Sequence, residues 1–553
     1  MATNPGGWQD GADHRVEYGN LVNTIREAAT ASRGRTGWGA FILEHWPSAL
    51  IALGVFTICA WNLAEGHDWG DDFALYIGQA AAITEFDLDP VVQSNIYAIE
   101  NSSWSSFSPV AYPWGYPLLL APLYAIWGIN YSVFQVVQCL FFAAFAGLLW
   151  RIFASRVGRL AATLLVLLIA SSVVYVGWGQ SVTADFPFMA FGALTLVLLD
   201  RARRSGPTSG ATTGLLVALG LAAAFSTSIR REGIVLFFSI AVVQSAAMLS
   251  DRLQLDKEAR PQLWKEVPWK RFLLPHAMGA GLLIAFQALA PGPFANNYPG
   301  TGFGQFKGNV IWFRDVLAQI VGLMDLGAPS LRYGGSEVLA KWMLTIFLIA
   351  VVVGLVARLM KAWREDAGIA AYLAAVIFVV GSLPFHEHRY LFTIAPFLVY
   401  FAYHGIRQIA LAVSSRLRMQ RAIASVLAGL FIVALLVPNL TDLRHRTDIR
   451  LGYDTYVMWG PADPAAEQMF AKVREIVPEG DVVAFFRGRA MTLLGERQGL
   501  YLTVLDQILE RSDWYAMEKN STYSQYALSA EEADANGITR VWENNRFVLW
   551  KVP

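Results

Sequence analysis

Charge is scarce in this chain. Only 16% of its 553 residues are charged, and 43 Lys and Arg are balanced by 43 Asp and Glu. Ordinary soluble domains carry about 25% charged residues, so the shortage argues for a membrane protein. Zero formal net charge argues against a general polyanion binder, and no nucleic-acid partner is expected. Cysteine is nearly absent. Cys59 and Cys139 both fall in apolar runs, which excludes a disulfide framework and a cysteine metal site. The N-terminal stretch 1–45 lacks the short basic, apolar and small-residue pattern of a cleaved signal, so the first apolar run is expected to remain as an anchor. Internal repeats and low-complexity tracts are lacking as well.

What is abundant is apolar sequence, at 55% of residues. A helix needs roughly 20 mostly apolar residues to cross a bilayer. Eleven such runs lie near 46–64, 131–150, 160–178, 184–200, 211–229, 233–250, 272–290, 340–357, 369–384, 390–411 and 422–439. A further apolar piece, "YPWGYPLLLAPLYAIWG" (112–128), holds three prolines and two glycines and reads as a juxtamembrane or re-entrant hairpin. The positive-inside rule supports that choice. With the N-terminus in the cytoplasm, eleven spans put Arg151, Arg156 and Arg159, then Arg201, Arg203 and Arg204, on the inner side. Lys265, Lys270 and Arg271, then Arg358, Lys361 and Arg364, then Arg416, Arg418 and Arg421 join them. A twelfth span would turn every later loop outward.

The expected fold is therefore a polytopic α-helical membrane protein of about 11 transmembrane helices with a small C-terminal extracytoplasmic α/β domain. Residues 1–45 form a cytoplasmic segment, 46–440 the membrane domain with outer loops 65–130 and 291–339, and 441–553 the outer domain. In that last part "PAAEQMFAKVREIV" reads as an amphipathic helix and "DVVAFF" as a buried strand. "TRVWENNRFVLWKV" reads as two strands joined by an Asn-Asn turn.

Candidate chemistry gathers at the outer ends of the spans. In "HDWGDDFALYIGQA" (67–80), Phe73, Ile77, Ala80 and Thr84 recur at helical spacing after Asp72, giving a short helix suited to lie along the membrane interface. Asp71 or Asp72 suits the N-cap of that helix, where a carboxylate satisfies free N–H groups; a capped carboxylate is also an oriented one. Tyr76 follows Asp72 by one turn on the same face. His67 and Asp68 read as a solvated loop. Tyr112, Trp114 and Tyr116, set among prolines, form an aromatic corner that is either an interfacial belt or a wall for a lipid or sugar.

Arg230 and Arg231 in "STSIRREG", and Arg389 with Tyr390 in "LPFHEHRYLF", break the positive-inside pattern. One such arginine can simply snorkel; two separate outer sites suggest an anionic ligand, and arginine suits bidentate phosphate binding. Asp185 stands at the outer mouth of the fourth span, where an acid is a functional candidate by default. His386-Glu387-His388 lacks HExxH spacing, and neighbouring loop side chains seldom converge on one ion.

In this order and on one side of the membrane, these pieces resemble the C-type (GT-C) glycosyltransferases, among them bacterial protein O-mannosyltransferases and lipid A aminoarabinose transferases. The matching pieces are Asp72, Tyr76 and Ala80, then "YPxGYPLLLAPLYAxxG" (112–128), Asp185, "RREG" (230–233) and "HRYLFxxAPF" (388–397), over about residues 46–440. The resemblance implies a catalytic base on the first outer loop and a polyprenyl-phosphate sugar donor presented outside a bacterial plasma membrane. Asp72 is the first choice for that base and Asp71 the second, because Asp-Asp stands here where the mannosyltransferases have Asp-Glu.

Outside the cytoplasm nucleotide sugars are absent, so an activated sugar must arrive on a lipid carrier. A carboxylate that takes the acceptor hydroxyl proton promotes in-line attack and inversion. Arg231 and Arg389, or Arg230, would stabilise the departing phosphate. The acceptor would be a lipid, glycan or protein. A divalent ion is a candidate cofactor, with Asp185 and His386 its candidate ligands, although arginines can suffice. Two other functions suit a polytopic chain: a transporter or flippase of a lipid-linked or anionic substrate, and a membrane scaffold. A transporter should carry ionisable groups near the bilayer midplane. Here they gather at outer span ends, and the cytoplasmic half reads as plain.

Overall fold

The structure is a computed structural model that describes residues 38–104, 109–205, 211–254, 269–292, 303–324, 336–383, 386–414, 420–451 and 460–553. The chain divides into two compact units, Met1–Leu50 and Ile51–Pro553, and the second holds every candidate residue. The N-terminal segment up to residue 37, residues 293–302 and 325–335 of the loop 291–339, and Lys265, Arg416 and Arg418 lie outside the described residues.

Each apolar run lies on helix, because burying backbone polar groups in hydrocarbon leaves no other economical way to satisfy them. Five described helices are long and apolar enough to cross a membrane: Tyr131–Val157, Arg231–Leu249, Trp269–Leu289, Glu337–Gly381 and Gln420–Asp448. Two expected boundaries shift. The run 160–178 is not one helix but two, Arg159–Ala170 and Val173–Trp178. At their junction Asn439 Nδ2 donates to the Leu168 carbonyl at 3.2 Å and to the Ile320 carbonyl at 2.9 Å, accepting the break at low cost. The expected inner loop 358–368 is helical: Glu337–Gly381 runs through it and bends at Ala362 (φ −144°, ψ 35°). This helix packs tightly on Ala395–Val413, where a Cβ on Gly354 would fall 1.8 Å from the Phe401 carbonyl oxygen. Small residues permit that backbone approach, as is usual where helices associate in lipid. Cys59 and Cys139 are buried free thiols, with the Cys139 thiol donating to Cys59 Sγ at 2.9 Å.

The first outer loop is helical too, with Asp72–Glu85, Asp89–Asn101 and Gly115–Trp127. The last of these carries the broken apolar piece, and it accommodates Pro122 inside its length. A further helix, Phe303–Ile320, falls inside the loop 291–339 and was not expected.

The tail begins later than 441, since the helix Gln420–Leu451 continues into it. Beyond 460 the helix, the strand and the hairpin expected from sequence are present, together with two strands and three short helices that were not expected. Asp463 caps the helix Pro464–Ile476 through its side chain, which accepts from the Ala465 N–H. Strands β1 (Val482–Ala484), β2 (Gln498–Leu500), β3 (Trp514–Glu518), β4 (Thr539–Glu543) and β5 (Phe547–Lys551) form one sheet in the order β2-β1-β3-β5-β4. β1 runs parallel to β2 and β3, and β5 antiparallel to β3 and β4. Asn544 makes the β4–β5 turn: its Oδ1 accepts from the N–H groups of Arg546 (2.9 Å) and Phe547 (2.7 Å).

This sheet domain shares a hydrophobic core with the first outer loop. Trp69, 1% exposed, packs among Phe470, Phe485, Phe486 and Phe547. Burying one such indole is worth roughly 4 kcal/mol of apolar transfer. Phe73, Ile77 and Ala80 join the same core, so the helix Asp72–Glu85 is covered by protein on its apolar face rather than lying along a membrane interface.

Candidate active site

Asp72 starts the helix Asp72–Glu85, and its two oxygens have different partners. Oδ1 accepts from the Tyr112 hydroxyl at 2.6 Å, and Oδ2 meets Arg389 Nη1 at 2.7 Å. Its side chain stays 26% exposed and that of Arg389 17% exposed, so the pair borders open space. Burial pushes the Asp72 carboxyl up, but Arg389, the Tyr112 hydroxyl and Arg489 outweigh it and bring it down to about 2.

Tyr112 is held from three sides. Gln79, on the same helix face as Asp72 and Tyr76, clamps its backbone: Gln79 Nε2 donates to the Tyr112 carbonyl (3.0 Å) and Gln79 Oε1 accepts from its N–H (3.1 Å). The Tyr76 ring stacks on the Tyr112 ring with centroids 4.3 Å apart. Arg489, from the short helix Gly488–Leu494 after β1, lies over the Tyr112 ring at 5.4 Å and donates from Nη1 to the Tyr112 hydroxyl oxygen at 3.4 Å.

A second arginine joins through Asp185, which begins the helix Asp185–Arg204. Asp185 Oδ1 pairs with Arg230 Nη1, and its Oδ2 accepts from Trp178 Nε1 at 3.3 Å with Arg389 Nη1 at 3.9 Å. Arg230 also donates from Nη2 to Glu232 at 2.8 Å and lies 5.5 Å over the Tyr390 ring. Arg230 and Arg389 are therefore joined through Asp185 into one network of guanidiniums, carboxylates and aromatic faces. Arg389 Nε is buried with no hydrogen-bond partner among the described residues, a spare donor beside the exposed carboxylate. Glu387 stands by: burial pushes its carboxyl up while Arg389 pulls it down.

The other candidates divide. Arg231 donates to the Ala111 carbonyl at 3.2 Å and faces a groove lined by Trp114, Thr227, Phe286 and Pro291, where Trp114 Nε1 donates to the Pro291 carbonyl at 2.9 Å. The bond to Ala111 ties Arg231 to that groove. Tyr116 is fully buried edge-on against Tyr76 and hydrogen-bonded by Gln138, so it does not line an open surface. Asp71 occupies the N-cap position, but its side chain makes no capping bond. Its Oδ1 is buried without a partner among the described residues. Burial pushes this carboxyl up against the pull of Arg489 and Arg487. The adjacent aspartates thus face different surroundings, Asp71 the outer domain and Asp72 the arginines at the helix ends.

His67 is 1% exposed, not solvated: its Nε2 accepts from the Val182 N–H and its Nδ1 faces the Asp68 carbonyl, both at 2.8 Å. It serves to pin the loop ahead of the site. A divalent ion fits poorly here. Both oxygens of Asp185 face arginine or tryptophan donors, and the exposed His386 ring packs 5.4 Å from Trp312. Among the described residues no three His, Cys, Asp or Glu converge on one point.

Arg489, Gln79 and Trp69 were missed from sequence. Gln79 follows Asp72 by seven residues, two helical turns on one face, and that spacing was the available signal. Nothing local marks Arg489, which only the tertiary fold brings to the site. The inner ends of the helices are not plain either: Arg156 bridges Asp200 and Asp366, each at 3.0 Å.

This arrangement belongs to a known architecture. The structure of ArnT from Cupriavidus metallidurans bound to undecaprenyl phosphate superposes with a TM-score of 0.50, covering 94% of this chain and 98% of that one at 11% identity. The archaeal oligosaccharyltransferase AglB from Archaeoglobus fulgidus, in complex with an inhibitory peptide and a dolichol-phosphate, superposes at 0.51, covering 87% and 70% at 10% identity. The apo form of the Archaeoglobus fulgidus enzyme gives 0.52 with the same coverage and identity. The chain has the GT-C fold of integral-membrane glycosyltransferases, and the resemblance carried by its motifs holds. The profile of the dolichyl-phosphate-mannose-protein mannosyltransferase family matches residues 111–259, a span that includes Tyr112, Asp185, Arg230 and Arg231. No curated protein matches the chain by sequence.

Proposed function

We propose that the protein is a membrane glycosyltransferase that moves a sugar from a polyprenyl-phosphate donor to an acceptor hydroxyl on the extracytoplasmic side, inverting the anomeric centre, with Asp72 as general base. The N-terminus is cytoplasmic, the chain crosses a bacterial plasma membrane eleven times, and the sheet domain lies outside. One observation carries the reading: a partly exposed carboxylate held at 2.7 Å from an arginine that has an unused donor, beside a second arginine at the same helix ends. The undecaprenyl phosphate of ArnT and the dolichol-phosphate of AglB support a long isoprenoid phosphate as the donor's lipid.

The same geometry suggests an order of events. A carboxyl held at about 2 is a weak base, far from the pKa that favours proton transfer near neutrality. A donor phosphate offers Arg389 a stronger partner than Asp72, with charge-assisted and bidentate bonds. As Arg389 turns to the phosphate, Oδ2 of Asp72 is released and regains basicity, while Tyr112 still holds Oδ1. The acceptor O–H then gives its proton to Oδ2 as its oxygen bonds to the anomeric carbon and the carbon–phosphate oxygen bond breaks. Arg389 and Arg230 stabilise the charge that grows on the leaving phosphate, an effect strongest away from bulk water. No step needs a metal. Asp71, with its carboxyl raised by burial, is the competing base, but it faces the outer domain rather than the arginines.

The test is transfer from a panel of synthetic polyprenyl-phosphate sugars by wild type, Asp72→Asn and Asp71→Asn. The expected result is transfer by wild type, near-complete loss in D72N and a smaller loss in D71N. Equal turnover in wild type and D72N would remove Asp72 as base. No transfer with any donor would favour the transporter.

A further inference from the structure

The sheet domain does more than cover the site. Arg489 is 7% exposed and uses all three guanidinium nitrogens on the first outer loop. Its Nε donates to Asn95 Oδ1 at 2.9 Å and its Nη2 to the Pro109 carbonyl at 3.0 Å. Asn95 in turn donates to the carbonyls of Pro109 (2.9 Å) and Val110 (2.5 Å), so the segment leading into Tyr112 is fastened from two sides. The third nitrogen, Nη1, reaches the Tyr112 hydroxyl, which donates to Asp72 Oδ1. A planar fork with donors on three sides can span these acceptors at once; a lysine ammonium cannot do so in the same geometry.

We propose that Arg489 of the C-terminal domain is a positioning residue for the transfer reaction, holding Tyr112 so that the Tyr112 hydroxyl orients the Asp72 carboxylate. The inference rests on Asp72 being the base. With Oδ1 tethered through this chain, the carboxylate keeps its aim after Arg389 leaves Oδ2 for the donor phosphate. Without the tether it is free to rotate when it must take the acceptor proton. Donor binding should be spared, because Arg389 and Arg230 do not depend on Arg489. This gives the outer domain a part in chemistry, exercised through one side chain buried between it and the loop.

The experiment is a double-mutant cycle in the intact protein with Arg489→Met and Tyr112→Phe. R489M is expected to lower kcat roughly 10–100-fold, the scale of a misplaced reacting group, with the donor KM changed less than about twofold. Because both residues act along one chain, adding R489M to Y112F should cost less than about threefold more. Additive losses, or a raised KM with kcat unchanged, would overturn the inference in favour of simple domain attachment or donor binding. A readout without turnover runs beside it: hydrogen exchange at the amides of 110–116 should quicken at least about tenfold in R489M while β1 and β3 keep their protection. Unchanged exchange there overturns the inference whether or not sugar is transferred. Absence of transfer by wild type, with exchange quickened in R489M, overturns the transferase reading alone. If R489M fails to fold, Arg489→Gln carries the same comparison.

Discussion

Two buried clusters of arginines and carboxylates stand at opposite ends of the helix Asp185–Arg204, about 22 Å apart along its axis between Asp185 and Asp200. The inner cluster is closed. Asp366, 0% exposed, accepts on Oδ1 from Arg156 and on Oδ2 from Arg358 and the Tyr400 hydroxyl, while Asp200 takes Arg156, Arg203 and Arg204. The outer cluster is open. Asp72 and Arg389 border accessible space, and Arg389 Nε and Asp71 Oδ1 are buried without partners among the described residues. Burial of charge is common to both and marks neither as a site. What separates them is a carboxylate–arginine pair that solvent still reaches, with unpaired polar atoms buried beside it. The saturated cluster instead fixes the bend at Ala362 against the neighbouring helices, since Asp366 follows the bend by four residues.

Breaking each cluster should therefore fail in a different way. The largest expected effect is Asp72→Asn in the outer cluster, which should lower transfer per folded molecule about 10³-fold, within the range for a general base, on top of the stability lost with its pair to Arg389. Next is Asp366→Asn in the inner cluster. It leaves Arg156 and Arg358 short of their carboxylate and should cost about 3 kcal/mol, read as a lower melting temperature, with turnover per folded molecule preserved. If D366N instead abolished turnover at full stability, the division between the clusters would collapse.

Arg389→Lys keeps the charge but loses the fork, so the donor KM should rise about tenfold. Tyr116→Phe, deleting a buried hydroxyl that Gln138 serves, should cost about 1 kcal/mol with transfer unchanged. The smallest effect concerns pH. Folded Asp72 titrates at about 2 against 3.8 for the free side chain, so its contribution to stability is present above about pH 4 and lost as pH falls through 2. D72N should remove that contribution at neutral pH and up to one proton from the slope of acid unfolding in that window, with the slope near neutrality unchanged. An unchanged slope would mean that Arg389 does not hold the carboxylate in solution.

Much of this was legible from residues alone. The apolar runs, the helix after Asp72, the Asp463-capped helix and the Asn544 hairpin were readable because each depends on spacing within a few turns or residues. Arg230 and Arg389 stood out because they broke the side preference of basic residues. The misreadings share one cause. His67, Tyr116 and the apolar face of Asp72–Glu85 were judged by a membrane or water environment, and each instead meets another part of the protein. The inner cluster looked plain because Arg156, Asp200 and Asp366 are ordinary charges until three helix ends bring them within 3 Å. Asp185 read as an isolated acid because nothing near it in sequence marks Arg230, which pairs with it in the fold.

The sequence determined the helices, the hairpin and the acids and arginines worth testing. It did so because backbone hydrogen bonding in hydrocarbon and local turn chemistry act over short stretches of chain. Only the tertiary structure decided which aspartate faces the arginines and which faces the outer domain, and that Arg489 reaches Tyr112 across 377 positions of sequence. Those choices depend on which surfaces exclude water together, and water exclusion between distant segments leaves no mark on either segment alone.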